Sequence, residues 1–412
     1  MNNRFLVQLL TSRRNYDVAE ILHGKEMLSY LVTDFYRTFL SKYIKKIFPL
    51  YRFVYNAHNN NLPIVLVKRS IMAGILYRIK IKISPNNNYG ATLQSYKILT
   101  HKSIRLIKRN KMINSIYAYD TGALELFEYI VTHDSNIKNL YLEQCVAPRS
   151  AQIAMYKKFS SLYNVDYSEE IASCEKLHLR ELKEWDLATK IIVPSDYVCN
   201  EIVKCGVNPE KICIVPYGYS SPYNFYEIEN HIKKKQQKQS EKIIVLYVGN
   251  GGYRKGVLDL IDLAAKLKDF PNIELRIAGN MTNIQDHIKN IEVNNVTFLG
   301  VLDKKRLNQE YLDADIFILP SYLEGSAMSI QEALCFGLPV ITTFESGSFI
   351  VNNQEGFIFN AGDIEGMYNG ILLLARNNQL RYMMAYKAIE LMKKNTLSTV
   401  SYTHLRAHET RR

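Results

Sequence analysis

Short apolar, β-branched runs alternate along this chain with longer stretches of helical periodicity, and the whole pattern restarts once. Strands that feed crossover helices in this way build parallel sheets, so the expected fold is α/β with two doubly wound units. In the first half, strands are expected at Phe5–Leu10, Ile64–Val67, Ser115–Tyr119, Leu140–Glu143 and Lys190–Val193. A helix carrying Glu169, Glu170, Glu175, Glu181 and Glu184 precedes the last of these, and another extended piece covers Ile212–Tyr219. The run Lys233–Lys242, KKKQQKQSEK, has no apolar period and reads as a linker. Beyond it come strands Ile243–Val248, Ile273–Ala278, Val296–Leu299 and Ile316–Leu319, with helices over Val257–Lys268 and Lys304–Leu312. The expected organisation is a first unit over 1–225, a polar linker over 226–242 and a second unit over 243–398, with a ligand cleft at the carboxyl ends of the strands. Residues 399–412, ending VSYTHLRAHETRR, lack that periodicity and resemble translated adapter sequence, so they are expected to be a non-native tail.

Charge is unevenly divided. The net charge is +12, yet residues 1–116 hold 20 Lys+Arg against 4 Asp+Glu, and the remainder nets −4. No acidic side chain lies between Asp34 and Asp120. Such a field implies an anionic partner: nucleic acid, an anionic membrane, or an acidic or phosphorylated acceptor. Phe35–Tyr55, FYRTFLSKYIKKIFPLYRFVY, interleaves aromatics with Arg37, Lys42, Lys45, Lys46 and Arg52. That composition suits a helix lying in an anionic membrane interface, and equally an amphipathic helix that covers a sheet and snorkels its lysines. No apolar run reaches the roughly 18 residues that span a bilayer, and Met1–Thr11 lacks the plan of a signal peptide. The expectation is a cytoplasmic protein, with peripheral association at the inner face of the membrane as an option that the basic stretch leaves open. Six cysteines form no C-x-x-C pair and nine histidines show no ligand spacing. Asp313-Ala314-Asp315 mimics a D-x-D metal motif but falls at a helix-to-strand junction, where acidic residues are ordinary. No metal and no cofactor are expected.

Two segments carry the chemistry. In Phe317–Ile341, FILPSYLEGSAMSIQEALCFGLPVI, an apolar strand ends at Pro320, a small-residue loop bears Glu324 and Gly325, and a helix bearing Glu332 follows. Loop amides and a helix N-terminus at such a turn suit a diphosphate, and carboxylates beside it can accept from sugar hydroxyls. Ser329-Ile330-Gln331-Glu332 also fits a capping box, which leaves Glu332 with two readings. The second segment, Val248–Val257, VGNGGYRKGV, follows a strand and opens a helix. It fits neither G-x-G-x-x-G nor a Walker loop, which disfavours dehydrogenases and P-loop enzymes. Two cations at a helix start oppose the macrodipole and call for an anionic ligand.

Glu324 through Ile341 resembles the E-x7-E signature of glycosyltransferase family four, the retaining GT-B nucleotide-sugar transferases. The resemblance implies two Rossmann-like domains facing an interdomain cleft. It implies that Glu324 contacts the donor sugar, that Gly325, Ser326, Ala327 and Met328 contact sugar and diphosphate, and that Glu332 binds the ribose. Ala327 stands where many members have glycine. Gly249, Asn250 and Gly251, with Arg254 and Lys255, resemble the family's diphosphate-gripping G-R-x4-K-G segment; Lys255 matches the lysine, and Asn250 replaces the usual arginine. Glu324, Lys255 and Arg254 are thus the expected catalytic set. IVPSD at 191–195, VPYGY at 215–219 and the opening RFLVQLLTSRRNYDVAEIL are similar to the family's first domain, which puts Arg13, Arg14, Tyr119 and Asp120 on the acceptor side without the family's usual histidine. What this implies is retaining, metal-independent transfer of a sugar from a nucleoside diphosphate sugar to a glycan or lipid-linked acceptor, in cell-surface polysaccharide or glycoconjugate synthesis. A same-fold phosphorylase or epimerase is the alternative among enzymes. A nucleic-acid-binding protein is the alternative from another class, disfavoured because no helix-turn-helix, oligonucleotide-binding barrel or zinc module is visible.

Overall fold

The computed structural model describes residues 3–36, 57–83, 88–133, 136–219, 221–238, 242–284 and 294–396. Most of the aromatic and basic stretch 35–55, and the suspected tail 399–412, lie outside the described residues. The chain divides into two units: the first comprises residues 1–193 and 199–215, the second residues 194–198 and 216–402.

The first unit holds strands β1 (Phe5–Leu9), β2 (Leu28–Thr33), β3 (Val67–Arg69), β4 (Ser115–Tyr119), β5 (Asn139–Glu143), β6 (Lys190–Val193) and β7 (Ile212–Ile214). They pair in parallel in the order β3-β2-β1-β4-β5-β6-β7. Its helices are α1 (Asp17–Gly24), α2 (Ile71–Ile83), α3 (Asn88–Arg109), α4 (Leu124–His133), α5 (Arg149–Tyr163) and α6 (Ser168–Leu187); α7 (Asp196–Lys204) follows β6. Every residue of β1 and of β4 is buried, as expected of strands covered on both faces. Gln8 is the polar exception in β1, and it is satisfied. Its amide donates to the Thr100 hydroxyl (3.3 Å) and the Gly122 carbonyl (3.1 Å), and its oxygen accepts from Ser103 (2.7 Å). The strand expected at Ile64–Val67 begins later, because Pro63 leads into a 3-10 turn over Ile64–Leu66 before β3.

The second unit repeats the plan with β8 (Ile243–Val248), β9 (Ile273–Ala278), β10 (Val296–Gly300), β11 (Ile316–Leu319), β12 (Val340–Thr343) and β13 (Gly356–Phe359), parallel in the order β10-β9-β8-β11-β12-β13. Around this sheet lie α8 (Phe225–Lys238), α9 (Val257–Lys266), α10 (Lys304–Asp313), α11 (Met328–Cys335), α12 (Ile364–Arg376) and α13 (Asn378–Lys394).

The helix α8 corrects the expected linker of 226–242 over residues 226–238; residues 239–241 lie outside the described residues. Ile228 and Ile232, one turn apart, are buried in the core of the second unit, and the polar run that hides this pattern is the helix's solvent face. Lys235 is used structurally. Its ammonium donates to the carbonyls of Asp313 (2.9 Å) and Ala314 (2.6 Å) at the end of α10 and pairs with Asp315 (2.9 Å), meeting the negative end of that helix. Asp315 also accepts from the Ile244 backbone (2.9 Å), and Asp313 from Gln309 (2.8 Å). Both carboxylates of the D-x-D triplet therefore serve the fold.

Candidate active site

In each sheet the strand order reverses once, between β1 and β4 and between β8 and β11. Loops leaving the carboxyl ends of strands at such a reversal diverge to opposite faces and leave a crevice.

In the second unit the crevice is a cavity of about 540 Å³. Gly249, Asn250, Gly251, Arg254 and Lys255 line it from the loop after β8, and Glu324, Ser326, Ala327 and Met328 from the loop after β11. These residues, named from two separate sequence segments, are thus brought to one place. The two loops meet backbone to backbone: the Tyr322 amide donates to the Arg254 carbonyl (2.8 Å). Gly256 sits at φ 67°, and a Cβ there would stand 2.0 Å from the Pro320 carbonyl oxygen.

Glu324 is the electrostatic centre. Its Oε1 meets both the Lys255 ammonium (2.5 Å) and the Arg254 guanidinium (2.8 Å), and Arg254 also donates to the Leu323 carbonyl (2.7 Å). The Glu324 amide donates to the Glu345 carbonyl (2.9 Å), which fixes the loop from behind. Tyr247 lies below; burial and then the Glu324 charge push its phenol well up, so it stays protonated. Two cations on one carboxylate leave one net positive charge at the cavity, beside the amides that open α11.

The capping-box reading of Glu332 does not hold, and Glu332 is not among the residues that line the cavity. The helix α11 starts at Met328 with Ala327 as its N-cap and no side-chain cap bond, so Ser329 caps nothing and the capping box is absent. The Glu332 carboxylate instead accepts from the Tyr311 hydroxyl (2.9 Å) and the Tyr219 hydroxyl (3.3 Å). Burial, and next the charge of Glu332, push both phenols up, so both remain donors at neutral pH. Tyr311, Tyr219 and Glu345 were not found by sequence reasoning, although Tyr219 lies in the VPYGY segment.

The first unit's crevice is a cavity of about 350 Å³ lined by Arg13, Asp120 and Arg149, among others. Arg13 pairs with Asp120 (3.2 Å). Arg14 is engaged with Glu143 (3.0 Å) and Asp17 (3.3 Å), and Tyr119 is buried with its ring against Tyr117, 5.6 Å between centroids. Of the four residues expected on the acceptor side, Arg13 and Asp120 therefore line the cavity, while Arg14 and Tyr119 buttress it. Arg149, at the start of α5, was missed.

Asp120 stands on a loop that α6 pins. Glu184, fully buried, accepts from the backbone amides of Thr121 (2.9 Å), Ala123 (3.1 Å) and Leu124 (3.0 Å), and Arg180 donates to the Thr121 carbonyl (2.8 Å). Thr121 is held at φ 72°, a strained conformation for a β-branched residue. Glu184→Ala is expected to cost about 2–3 kcal/mol, because three buried amides lose their acceptor. Urea unfolding followed by far-UV circular dichroism checks this, and an unchanged midpoint would contradict it.

Residues 228–391 match the family described as Glycosyl transferases group 1. Among curated proteins, the chain is 29% identical to the sulfoquinovosyl transferase SQD2 of Arabidopsis thaliana over 37% of this chain and 30% of that one. It is 24% identical to the capsular polysaccharide biosynthesis glycosyltransferase CapM of Staphylococcus aureus over 56% and 63%. The matches thus span less than two thirds of either relative. Among solved structures, Anabaena HepE in complex with UDP superposes with a TM-score of 0.60 at 15% identity, over 99% of each chain. At that identity the likeness is one of fold, and it bears out the expected GT-B architecture of two Rossmann-like domains.

Proposed function

We propose, from the match of residues 228–391 to the family described as Glycosyl transferases group 1, that this chain moves a sugar from a nucleoside diphosphate sugar to a glycan or lipid-linked acceptor, with retention at the anomeric carbon. The observation that carries the proposal is the convergence of Lys255 and Arg254 on Glu324 at the mouth of the cavity at the β8–β11 reversal.

The barrier to sugar transfer is departure of the diphosphate from an oxocarbenium-like centre. Fixed positive charge on the leaving group lowers it most, because charge develops there in the transition state. Lys255 and Arg254 supply that charge, and the amides at the start of α11 supply directed donors. Protein cations and a helix end suffice for the diphosphate in this proposal, which therefore assigns no metal. Glu324 orients the sugar by accepting from its hydroxyls. Glu332, its carboxylate aimed by two phenols, accepts from the ribose. Arg13, Asp120 and Arg149 form the acceptor side. The capsular polysaccharide biosynthesis glycosyltransferase among the relatives supports an acceptor of glycan or lipid-linked type.

Calorimetry with UDP, the nucleotide in the Anabaena neighbour, tests the donor assignment. Glu332→Ala is expected to weaken UDP binding by about tenfold through loss of charge-assisted hydrogen bonds. Tyr311→Phe should give a smaller loss in the same direction. UDP binding by the unsubstituted protein with no change in Glu332→Ala would remove the ribose assignment. A panel of nucleotide sugars, followed by mass spectrometry and anomeric analysis of the product, tests donor, acceptor and retention.

A further inference from the structure

At the edge of the first sheet, large apolar side chains stand in water in a pattern. β3 is the edge strand, and the residues on either side of it include Ile64 (51% exposed), Val65 (71%), Ile71 (52%), Met72 (68%), Ile79 (50%) and Ile83 (74%). Ile71, Ile75, Ile79 and Ile83 recur every fourth residue of α2 and so share one face. The residues that α2 buries are Ala73 and Gly74. This is the reverse of the usual order for a surface helix, in which the large apolar residues face the core. Single exposed apolar residues are ordinary, but a continuous stripe marks an interaction surface.

Cations gather beside the stripe. Lys102, on α3, donates to the Arg69 carbonyl, and Lys68 donates to the Val65 carbonyl (2.7 Å). Burial, and then repulsion from Arg69 and Lys68, pull Lys102 below the ordinary lysine value. The sequence places no carboxylate between Asp34 and Asp120 to relieve that repulsion. A second copy of this chain would set like charges against one another here, and a nucleic acid would leave the isoleucines wet. An anionic lipid surface satisfies both sets of groups.

We propose that Ile64, Val65, Ile71, Met72 and Ile79, with Lys68, Arg69 and Lys102, dock this protein on an anionic lipid surface. The apolar side chains enter the boundary between headgroups and acyl chains while the three cations meet lipid phosphates. No helix of the described residues is long and apolar enough to cross a membrane. The proposal stands on the first unit alone and is independent of the donor reading.

Co-sedimentation of the full chain with vesicles tests it. The protein should sediment with vesicles of phosphatidylcholine and phosphatidylglycerol, far less with phosphatidylcholine alone, and less as salt rises. Ile71→Ser with Ile79→Ser, and separately Arg69→Gln with Lys102→Gln, should each weaken partitioning at least about tenfold, the second pair also flattening the salt dependence. Unfolding midpoints equal to the parent's would show that both variants are folded. Three outcomes overturn the proposal: no sedimentation of the parent with the anionic vesicles, undiminished sedimentation of both folded variants, or a dimer in sedimentation velocity that the isoleucine variant converts to monomer.

Discussion

Lys255→Ala is expected to lower kcat/KM for sugar transfer by about 10²–10³-fold, the scale seen when one preorganised group is removed from a developing charge. The ammonium is only about one-fifth exposed and lies 2.5 Å from Glu324, so water screens it weakly. Removing it also leaves Glu324 with Arg254 as its remaining cation partner in the cavity. The loss should fall mainly on kcat, because charge on the leaving oxygen is greater in the transition state than in the bound donor. Arg254→Ala should cost less, roughly tenfold, since that side chain is 45% exposed and its charge is better screened. Steady-state kinetics on the donor found in the panel decide it, and equal kcat values for Lys255→Ala and the parent would refute the assignment.

Gly256→Ala is expected to destabilise the second unit by about 3–5 kcal/mol and to abolish UDP binding measurable by calorimetry. Two costs add. The residue sits at φ 67°, where a side chain is strained, and its Cβ would stand 2.0 Å from the Pro320 oxygen and 2.7 Å from the Pro320 carbonyl carbon. Relief requires the loops after β8 and β11 to part, which stretches the hydrogen bond from the Tyr322 amide to the Arg254 carbonyl. Those loops carry the cations and the carboxylate they meet, so a shift of about an ångström undoes the geometry. A thermal midpoint within a degree or so of the parent's would show that the loops are not in close contact.

What could be read from the sequence follows the range of the interactions. Strands such as β1, β4 and β11 are mostly apolar and buried on both faces, and announce themselves. Gly249, Asn250, Gly251, Arg254, Lys255, Glu324, Ser326, Ala327 and Met328 could be named together because each lies in one of two contiguous segments, Val248–Val257 or Phe317–Ile341, and the cavity joins those segments; Gly325 and Glu332, named with them, do not line it. Tyr219 and Tyr311 were not legible: they lie 113 and 21 residues from Glu332, and a lone tyrosine carries no local signal of what it will hold. The helix α8 was hidden by its composition. Only Ile228 and Ile232 of its 14 residues are buried, too few to give a period against lysines and glutamines. The capping-box reading of Glu332 failed for a related reason. A four-residue pattern does not say where a helix begins, and the structure starts α11 one residue before Ser329. Arg149 and Glu184 act on Thr121 and its neighbours from tens of residues away, beyond any sequence window.

In the proposed function, the carboxylate between Lys255 and Arg254 also sets which anions the cavity can accept. Sulfate that approached the two cations would have to pull them from Glu324 and would leave that carboxylate partly buried beside a second negative charge, with no donor in exchange. A nucleoside diphosphate sugar brings hydroxyl donors along with its phosphates and can compensate the displaced carboxylate. The resident counterion thus acts as an incumbent that only a ligand of mixed character can replace. Sulfate in the surrounding medium should accordingly compete poorly with the proposed donor, although two cations face the cavity.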